Sequence, residues 1–234
     1  MQVQEVFRSW QGEGPNAGCR ALFIRFAGCP IKCDWCDTKR AWGKEQGEKK
    51  SVQDIIDIVE SSKIIRHGGR IIFTGGEPAL VKTYDWKVMI QRLAILESQY
   101  FGMTFKGEVE TAGIRFEPTW TLPFFDTINV SPKRKWYEQK GESYIRVIRK
   151  FVRAGANLKF VVGEAEDFNF AQHVVGETYL RPSKVWLMPR GTTLKEMRKS
   201  MVFVTELAKL RGFSISDRMQ IVLGLDGNRR LGTR

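Results

Sequence analysis

The stretch Gly28-Cys29-Pro30-Ile31-Lys32-Cys33-Asp34-Trp35-Cys36-Asp37-Thr38 places three cysteines at the spacing Cys-x3-Cys-x2-Cys. A structural zinc site needs four ligands, and the other candidates, Cys19, His67 and His173, lie at none of the paired spacings that zinc-binding folds use. A [4Fe-4S] cluster held by three cysteines leaves one iron open to a small molecule. The stretch therefore indicates a catalytic iron-sulfur cluster, with zinc binding and buried free cysteine as the alternatives. Cys19, outside the spacing, is interpreted as a small packing residue.

An apolar run precedes this stretch, and similar short runs alternate with longer amphipathic segments along the rest of the chain. That alternation is typical of βα units. It predicts an α/β fold, namely a partial, open TIM-like (β/α) barrel of six to seven mostly parallel strands with right-handed crossovers. The predicted strands cover residues 21–27, 70–74, 107–110, 126–130, 158–162, 184–188 and 220–223.

The first predicted helix has Ser51 as its N-cap and Asp54 three residues later, and it stops at the glycine pair 68–69. Further helices are predicted over residues 84–100, 142–153, 167–175 and 193–210. The segment 110–126 contains two prolines and is predicted to be a loop, so one βα unit lacks its helix.

Unusual residues follow the ends of four predicted strands. They are the cysteine stretch and the segments 74–78, 110–113 and 131–133. In a barrel the loops after the strands meet at one rim, where active sites form. We therefore expect these four segments to surround one site.

Composition sets limits on the protein class. The 234 residues are 42% hydrophobic and 27% charged, which is typical of a globular protein. No run approaches the roughly 20 apolar residues of a membrane span, and no signal peptide is evident, so we expect a cytoplasmic protein without disulfides. A single domain is expected over residues 1–234, with its core at about 5–224.

The net charge of +12 suggests an anionic partner, which could be nucleic acid, a carboxylate substrate or an acidic electron donor. The positive residues are dispersed, however, and this favours an ordinary solvated surface. Binding of nucleic acid is therefore not required by the charge.

The cysteine motif after the first strand, followed by Gly75-Gly76-Glu77-Pro78 after the second, resembles the radical S-adenosylmethionine superfamily. The resemblance implies that S-adenosylmethionine chelates the open iron and that an electron from the cluster cleaves it to a 5′-deoxyadenosyl radical. It implies Cys29, Cys33 and Cys36 as cluster ligands. The implied cofactor contacts are Trp35, Cys36, Asp37, Gly75, Gly76, Glu77, Glu110, Ser131, Pro132 and Lys133.

Segments 11–14, 23–25, 36–38, 129–133 and 185–189 are similar to the 7-carboxy-7-deazaguanine synthase family, and the similarity runs from about residue 5 to 224. That family converts 6-carboxy-5,6,7,8-tetrahydropterin to 7-carboxy-7-deazaguanine with loss of ammonia, in the pathway to queuosine and related 7-deazapurines. The resemblance implies that S-adenosylmethionine is regenerated and that Mg²⁺ binds at Thr38. It also implies a homodimer and an electron donor such as flavodoxin or ferredoxin.

Substrate contacts are implied at Gln11, Gly12, Glu13, Arg25 and Thr74. Arg25 alternates with apolar neighbours on a strand, and an inward guanidinium there could bind a carboxylate through two parallel hydrogen bonds. Gln220 stands where the family usually has a histidine, and glutamine can form hydrogen bonds but cannot titrate near neutrality. No catalytic residue is assigned beyond the cluster and the radical. The basic tail at residues 228–234 has no obvious match in the family.

Two other functions remain open at this point. A glycyl-radical enzyme activase has similar size and cysteine spacing but acts on a protein partner. A zinc-bearing nucleic-acid-binding module would account for the charge, and it would be colourless and bind with steep salt dependence. The fate of the product, in transfer RNA, in DNA or as a free metabolite, is not indicated by the sequence.

Overall fold

In a computed structural model, which describes residues 1–100 and 106–224, the chain forms nine strands and seven α-helices within those ranges. The strands are β1 (Gln2–Trp10), β2 (Arg20–Phe26), β3 (Glu48–Lys49), β4 (Arg70–Gly75), β5 (Lys106–Thr111), β6 (Phe125–Val130), β7 (Asn157–Val162), β8 (Val185–Pro189) and β9 (Ser214–Ile215). The helices are α1 (Val52–Ser61), α2 (Thr83–Ser98), α3 (Arg134–Lys140), α4 (Glu142–Arg153), α5 (Ala165–Thr178), α6 (Leu194–Arg211) and α7 (Met219–Val222).

All nine strands belong to one sheet in the order β3-β1-β2-β4-β5-β6-β7-β8-β9. From β2 to β9 the neighbouring strands are parallel, whereas β1 pairs antiparallel with both β2 and β3. The two ends of this order do not pair with each other, so the barrel is open. The structure confirms the predicted α/β class and the partial barrel of mostly parallel strands.

Local sequence signals place several elements correctly. The N-terminus of α1 forms the predicted capping box, in which Ser51 Oγ accepts from the Asp54 amide and Asp54 accepts from the Ser51 amide. Helix α4 has the predicted bounds, and residues 110–126 contain a short 3-10 turn at Pro118–Thr121 and no α-helix. These features depend on neighbouring residues, which is why they can be read from the chain.

Several predictions are wrong or incomplete. The predicted strand at 220–223 is instead helix α7, which is anchored by a hydrogen bond from the Met219 amide to the Gly12 carbonyl, 3.0 Å. The last strand is β9, and the sequence reading did not include β1, β3 or α3. Cys19 is exposed, so its interpretation as a packing residue is also wrong. The basic tail at 228–234 lies outside the described residues.

A cluster of buried aromatic side chains packs helix α2 against strands β2 and β4. Trp86 of α2 is fully buried and packs edge-on against Phe26 of β2 and Phe73 of β4, with centroids 5.7 and 5.1 Å apart. Trp120 meets Trp86 at 5.4 Å. Offset and edge-on aromatic pairs stabilise beyond the area that they bury, so this cluster fixes β2 and β4, whose carboxyl ends carry the site.

No helix in the described part of the chain combines the length and the apolar composition that a membrane span needs.

Candidate active site

A cavity of about 840 Å³ opens at the carboxyl ends of the parallel strands. It collects nearly all the residues that the sequence singled out. The predicted site residues that line it are Gln11, Gly12, Glu13, Arg25, Cys29, Cys33, Trp35, Cys36, Asp37, Thr38, Thr74, Gly75, Gly76, Glu110, Ser131, Lys133 and Gln220. Glu77 and Pro132 are not in this lining, and Pro132 borders a neighbouring cavity of about 450 Å³.

The cysteine loop folds back onto the end of β2. The Gly28 amide donates to the Ala41 carbonyl at 2.8 Å and the Cys29 amide to the Trp42 carbonyl at 2.9 Å, which closes the loop around its three thiols. All three thiols are free, and burial raises the pKa of Cys29 and of Cys33. A thiol whose pKa is raised stays protonated until a metal binds it, because metal ligation requires the thiolate.

This arrangement fits a polynuclear cluster. Within residues 1–100 and 106–224, no three His, Cys, Asp or Glu side chains converge closely enough to hold a single metal ion. The three cysteines nevertheless border one cavity. A [4Fe-4S] cube presents a separate iron to each of its ligands, so its thiolates do not converge on one point. The donor set therefore suits such a cluster, with one iron left for a small ligand.

Gly75 and Gly76 lie so close to the backbones of β2 and the cysteine loop that no side chain fits at either position. A Cβ at Gly75, whose φ is 137°, would lie 2.3 Å from the Phe26 carbonyl oxygen. A Cβ at Gly76 would lie 2.2 Å from the Gly28 carbonyl oxygen. Both glycines border the cavity, but the space left by their missing side chains is filled by β2 and the cysteine loop. The pair therefore sets how closely that loop approaches β4.

Glu77 is fully buried and holds two loops together. Its carboxylate accepts from the Ala79 amide at 2.9 Å, from the Ala112 amide at 2.8 Å and from the Thr111 hydroxyl. Burial raises the pKa of this carboxyl despite these donors. The contact of Glu77 with the cofactor stays a prediction, because the structure places its carboxylate among backbone amides rather than in the cavity lining.

Lys133 lies where the two cavities meet. Its Nζ donates to Ser131 Oγ at 2.6 Å and lies 5.2 Å from the centre of the Trp35 ring. Burial lowers the pKa of Lys133 below the usual value for a lysine. The site thus pairs an ammonium group with an aromatic face next to the cysteine loop, which suits a ligand that carries both a ring and an anionic group.

Arg25 reaches the cluster loop across the cavity wall. Its Nε donates to Glu5 Oε1 at 2.9 Å, and its Nη1 donates to Thr38 Oγ1 at 3.3 Å. The Thr38 hydroxyl in turn donates to Asp37 Oδ1 at 3.0 Å. A hydroxyl oxygen has two lone pairs, so Thr38 retains one for a hard cation after accepting from Arg25. The residues present therefore fit the implied magnesium site.

Glu13 is the centre of a buried charge network. Its Oε2 lies 2.7 Å from Lys159 Nζ, and its Oε1 accepts from Arg218 Nε at 3.3 Å and from Gln220 Nε2 at 2.8 Å. Burial disfavours the ionised form of Glu13, but Lys159 and Arg218 outweigh it and lower its pKa to about 2. Glu13 is therefore a permanent anion in the cavity wall.

Glu110 shares Lys159 with Glu13 but behaves differently. Lys159 Nζ lies 2.7 Å from its Oε2, and Gln11 Nε2 donates to its Oε1 at 3.2 Å. Burial, opposed by Lys159, raises the pKa of Glu110 to about 7, and the carboxylates of Glu108 and Glu13 add to this effect. Glu110 can therefore hold or release a proton near neutral pH.

Gln220 can form hydrogen bonds, as a histidine at this position would, but it cannot carry a positive charge. Its Nε2 donates to Glu13, while its Oε1 is buried, has no hydrogen-bond partner among the described residues and lies 2.0 Å from where a Cβ of Gly12 would stand. Gly12 thus makes room for this amide. Because the Gln220 amide is neutral, the negative charge of Glu13 is balanced by Lys159 and Arg218.

The sequence reading missed Lys159 and Arg218, both of which line the cavity. Lys159 had a usable signal, because it is the single charged residue in the apolar strand Asn157–Val162. A lysine is almost never fully buried without a partner, so its position predicts a buried ion pair. The signal for Arg218 was its position two residues before Gln220, in a segment that resembles the family, but its contacts lie far away along the chain and could not be read from that resemblance.

Comparison with known proteins identifies the family to which the chain belongs. Residues 23–130 match the model of the Radical SAM superfamily. The chain is 31% identical to 7-carboxy-7-deazaguanine synthase of Pyrobaculum aerophilum, covering 95% of this chain and 94% of the relative. It is 28% identical to the synthase of the same name from Rhodopirellula baltica, covering 97% and 87%.

Solved structures show the same fold. QueE from Escherichia coli superposes with a TM-score of 0.60 at 24% identity, covering 92% of each chain. The protein anSMEcpe with bound AdoMet and a peptide superposes with a TM-score of 0.56 at 16% identity, covering 85% of this chain and 64% of its own. With the sequence relatives above, the chain belongs to the 7-carboxy-7-deazaguanine synthase family of radical S-adenosylmethionine enzymes.

Proposed function

We propose that this protein converts 6-carboxy-5,6,7,8-tetrahydropterin to 7-carboxy-7-deazaguanine and ammonia, a step in the biosynthesis of queuosine and related 7-deazapurines. The observation that carries the proposal is one cavity bordered both by the three free cysteines and by the charged set Glu13, Arg25 and Lys159. Product and ammonia together account for the atoms of the substrate. The conversion therefore needs no net oxidant, which is consistent with a regenerated cofactor.

The cofactors would be held along the cysteine side of the cavity. Cys29, Cys33 and Cys36 would bind a [4Fe-4S] cluster, and S-adenosylmethionine would lie against Trp35 and Lys133 and the other cofactor contacts implied by the sequence. When bound, this pair supplies the radical that starts the reaction.

The substrate would lie against the charged side. Arg25 offers guanidinium donors to the pterin carboxylate, and Thr38 offers a hydroxyl oxygen to a magnesium ion beside that carboxylate. Glu13, held ionised by Lys159 and Arg218, would accept from the N-H groups of the guanidine-like edge, next to Gln11 and Gly12. Thr74, paired with Arg25 in the sheet register, and Gln220 complete the wall.

Cellular context is part of the proposal. The net charge of +12 supports an acidic one-electron donor such as a reduced flavodoxin or ferredoxin. We also assign residues 1–234 to one domain and place the enzyme as a homodimer in the cytoplasm. Sedimentation of the purified protein would test the oligomeric state.

The deciding experiment is an anaerobic incubation. Protein reconstituted with iron and sulfide is reduced with dithionite in the presence of S-adenosylmethionine, Mg²⁺ and the carboxypterin, and the deazapurine is sought by mass spectrometry. Its appearance, with S-adenosylmethionine retained, supports the proposal. Cleavage of S-adenosylmethionine without conversion of the pterin would instead favour an activase, and a colourless, zinc-loaded protein would exclude both enzymes.

A further inference from the structure

Asp37 connects the cysteine loop to the far end of the chain. It follows the last cysteine of the motif directly and precedes Thr38. Its Oδ1 accepts the Thr38 hydroxyl at 3.0 Å, and its Oδ2 pairs with Arg218 Nη2, although 181 residues separate the two in sequence. The Asp37 side chain is 45% exposed, so an unrestrained carboxylate there would have freedom to turn into solvent.

Arg218 is held firmly enough to restrain it. The guanidinium is only 5% exposed and donates in three directions: Nε to Glu13 Oε1 at 3.3 Å, Nη1 to the Gly191 carbonyl and Nη2 to Asp37. These partners come from three segments far apart in the sequence. The planar guanidinium serves all three at once, whereas a lysine would present a single point charge.

The direction of the Thr38 hydroxyl hydrogen decides what the oxygen can bind. When the hydrogen points to Asp37, a lone pair is left for a cation. Without an acceptor at Asp37 the hydroxyl is free to rotate, and a hydrogen turned toward the cation would weaken binding. Residues that orient a metal ligand in this way usually affect affinity strongly although they never touch the metal.

We propose that Arg218 is a positioning residue that fixes Asp37, and through Asp37 presents a lone pair of Thr38 to a divalent cation in the cavity. This inference rests on the proposed function, because the cation would lie beside the substrate carboxylate. The segment around Arg218 also has anchors other than the Arg218 side chain, since the Met219 amide donates to Gly12 O at 3.0 Å and Gln220 Nε2 donates to Glu13 at 2.8 Å.

The test measures binding of Mn²⁺ rather than turnover. Cluster-loaded enzyme in its oxidised, diamagnetic state is mixed with S-adenosylmethionine and the carboxypterin, without reductant, and free Mn²⁺ is followed by electron paramagnetic resonance. Wild type is expected to bind one Mn²⁺ per protein chain, and Thr38→Ala is expected to lose this binding. Iron content and visible absorption are recorded for every variant.

Arg218→Gln is expected to weaken Mn²⁺ binding by about tenfold or more with iron content unchanged. Arg218→Lys is expected to weaken it as well, because one ammonium cannot serve Glu13, Gly191 and Asp37 together. The matched control is Arg149→Gln, which removes a guanidinium paired with Glu142 and Glu177 on the helical side and should leave Mn²⁺ binding as in wild type.

A double-mutant cycle identifies the route. If Arg218 acts through Asp37, the double variant Asp37→Asn with Arg218→Gln should bind Mn²⁺ no more weakly than Asp37→Asn alone. Additive losses would show that Arg218 acts elsewhere, for example through Glu13, and would overturn the inference.

The remaining outcomes are also decisive. Unchanged Mn²⁺ affinity in Arg218→Gln with the cluster intact overturns the inference while the proposed reaction stands. If Arg218→Gln loses iron, Mn²⁺ binding is measured on Arg218→Lys instead. If both variants lose iron, Arg218 supports the cluster itself, and this result also overturns the inference. Equal Mn²⁺ binding by wild type and Thr38→Ala would reject the magnesium site, and the inference with it, even where wild type still converts the pterin.

Discussion

Lys159 on β7 donates to Glu110 on β5 across the intervening strand β6, with 2.7 Å between Nζ and Oε2. The lysine side chain is 5% exposed and makes a second ion pair of the same length with Glu13. One buried cation therefore joins a carboxylate from the loop after β1 to a carboxylate from strand β5.

Replacing Lys159 by Met should destabilise the protein strongly. Two buried carboxylates would lose their shared cation, and breaking a buried pair by removing one partner costs about 3 to 5 kcal/mol. Urea denaturation of the apoprotein measures the loss. Lys184→Met is the control, because Lys184 is only partly buried and its Nζ donates to the Gly155 carbonyl at 3.3 Å rather than to a carboxylate, so the change should alter stability by less than about 0.5 kcal/mol. A loss in Lys159→Met no larger than in the control would contradict the network.

Glu110 should make stability fall as pH rises toward neutrality. Its pKa is raised from 4.5 to about 7, so between these values the folded state binds a proton that the unfolded state has released. Glu110 should contribute to the wild-type free energy of unfolding a decline of at most about 3.5 kcal/mol over that window, from about 1.4 kcal/mol per pKa unit. In Glu110→Gln the decline should be smaller by this amount, as measured by urea denaturation at pH 5 and pH 8, while the contribution of Glu77, whose pKa is also raised, remains. A difference between the two proteins that stays constant with pH would refute the assignment.

The cysteine motif predicts which thiols bind iron. Protein prepared without oxygen should be brown and should lose visible absorption on reduction, and Cys33→Ala should abolish this colour because two cysteines cannot hold the cluster. Cys19→Ala is the matched control, since Cys19 is exposed and outside the motif, and should retain full iron content. Iron analysis together with absorption checks both variants. Equal iron in both would rule out the proposed ligand set.

Gly76→Ala should displace the cysteine loop. The added Cβ would lie 2.2 Å from the Gly28 carbonyl oxygen and 2.5 Å from that of Ala41, and forced overlap of this kind costs about 1 to 3 kcal/mol. We expect lower stability together with reduced iron incorporation. The Cβ added by Gly176→Ala in helix α5 meets no atom of residues 1–100 and 106–224 within 4 Å, so this change should instead stabilise by up to about 1 kcal/mol. Full iron incorporation in Gly76→Ala would contradict the proposed role of this contact.

The sequence could place elements whose cause is local. The Ser51–Asp54 capping box and the amphipathic helix α4 depend on residues three or four positions apart, and both appear as predicted. At Met219–Val222 the local reading was wrong, because four residues carry too little periodicity to distinguish a strand from a helical turn. The hydrogen bond between Met219 and Gly12 joins that turn to a loop at the other end of the chain.

The same division holds for the site. The spacing of Cys29, Cys33 and Cys36 and the glycine pair at the end of β4 were sufficient to indicate the chemistry, since ligands on one short loop are fixed by their order in the chain. The pairing of Arg218 with Asp37, the sharing of Lys159 by Glu13 and Glu110, and the withdrawal of Glu77 from the cavity could not be read in this way. These contacts join residues that only the folded sheet brings together, and burial in that fold, rather than residue type, sets their charge.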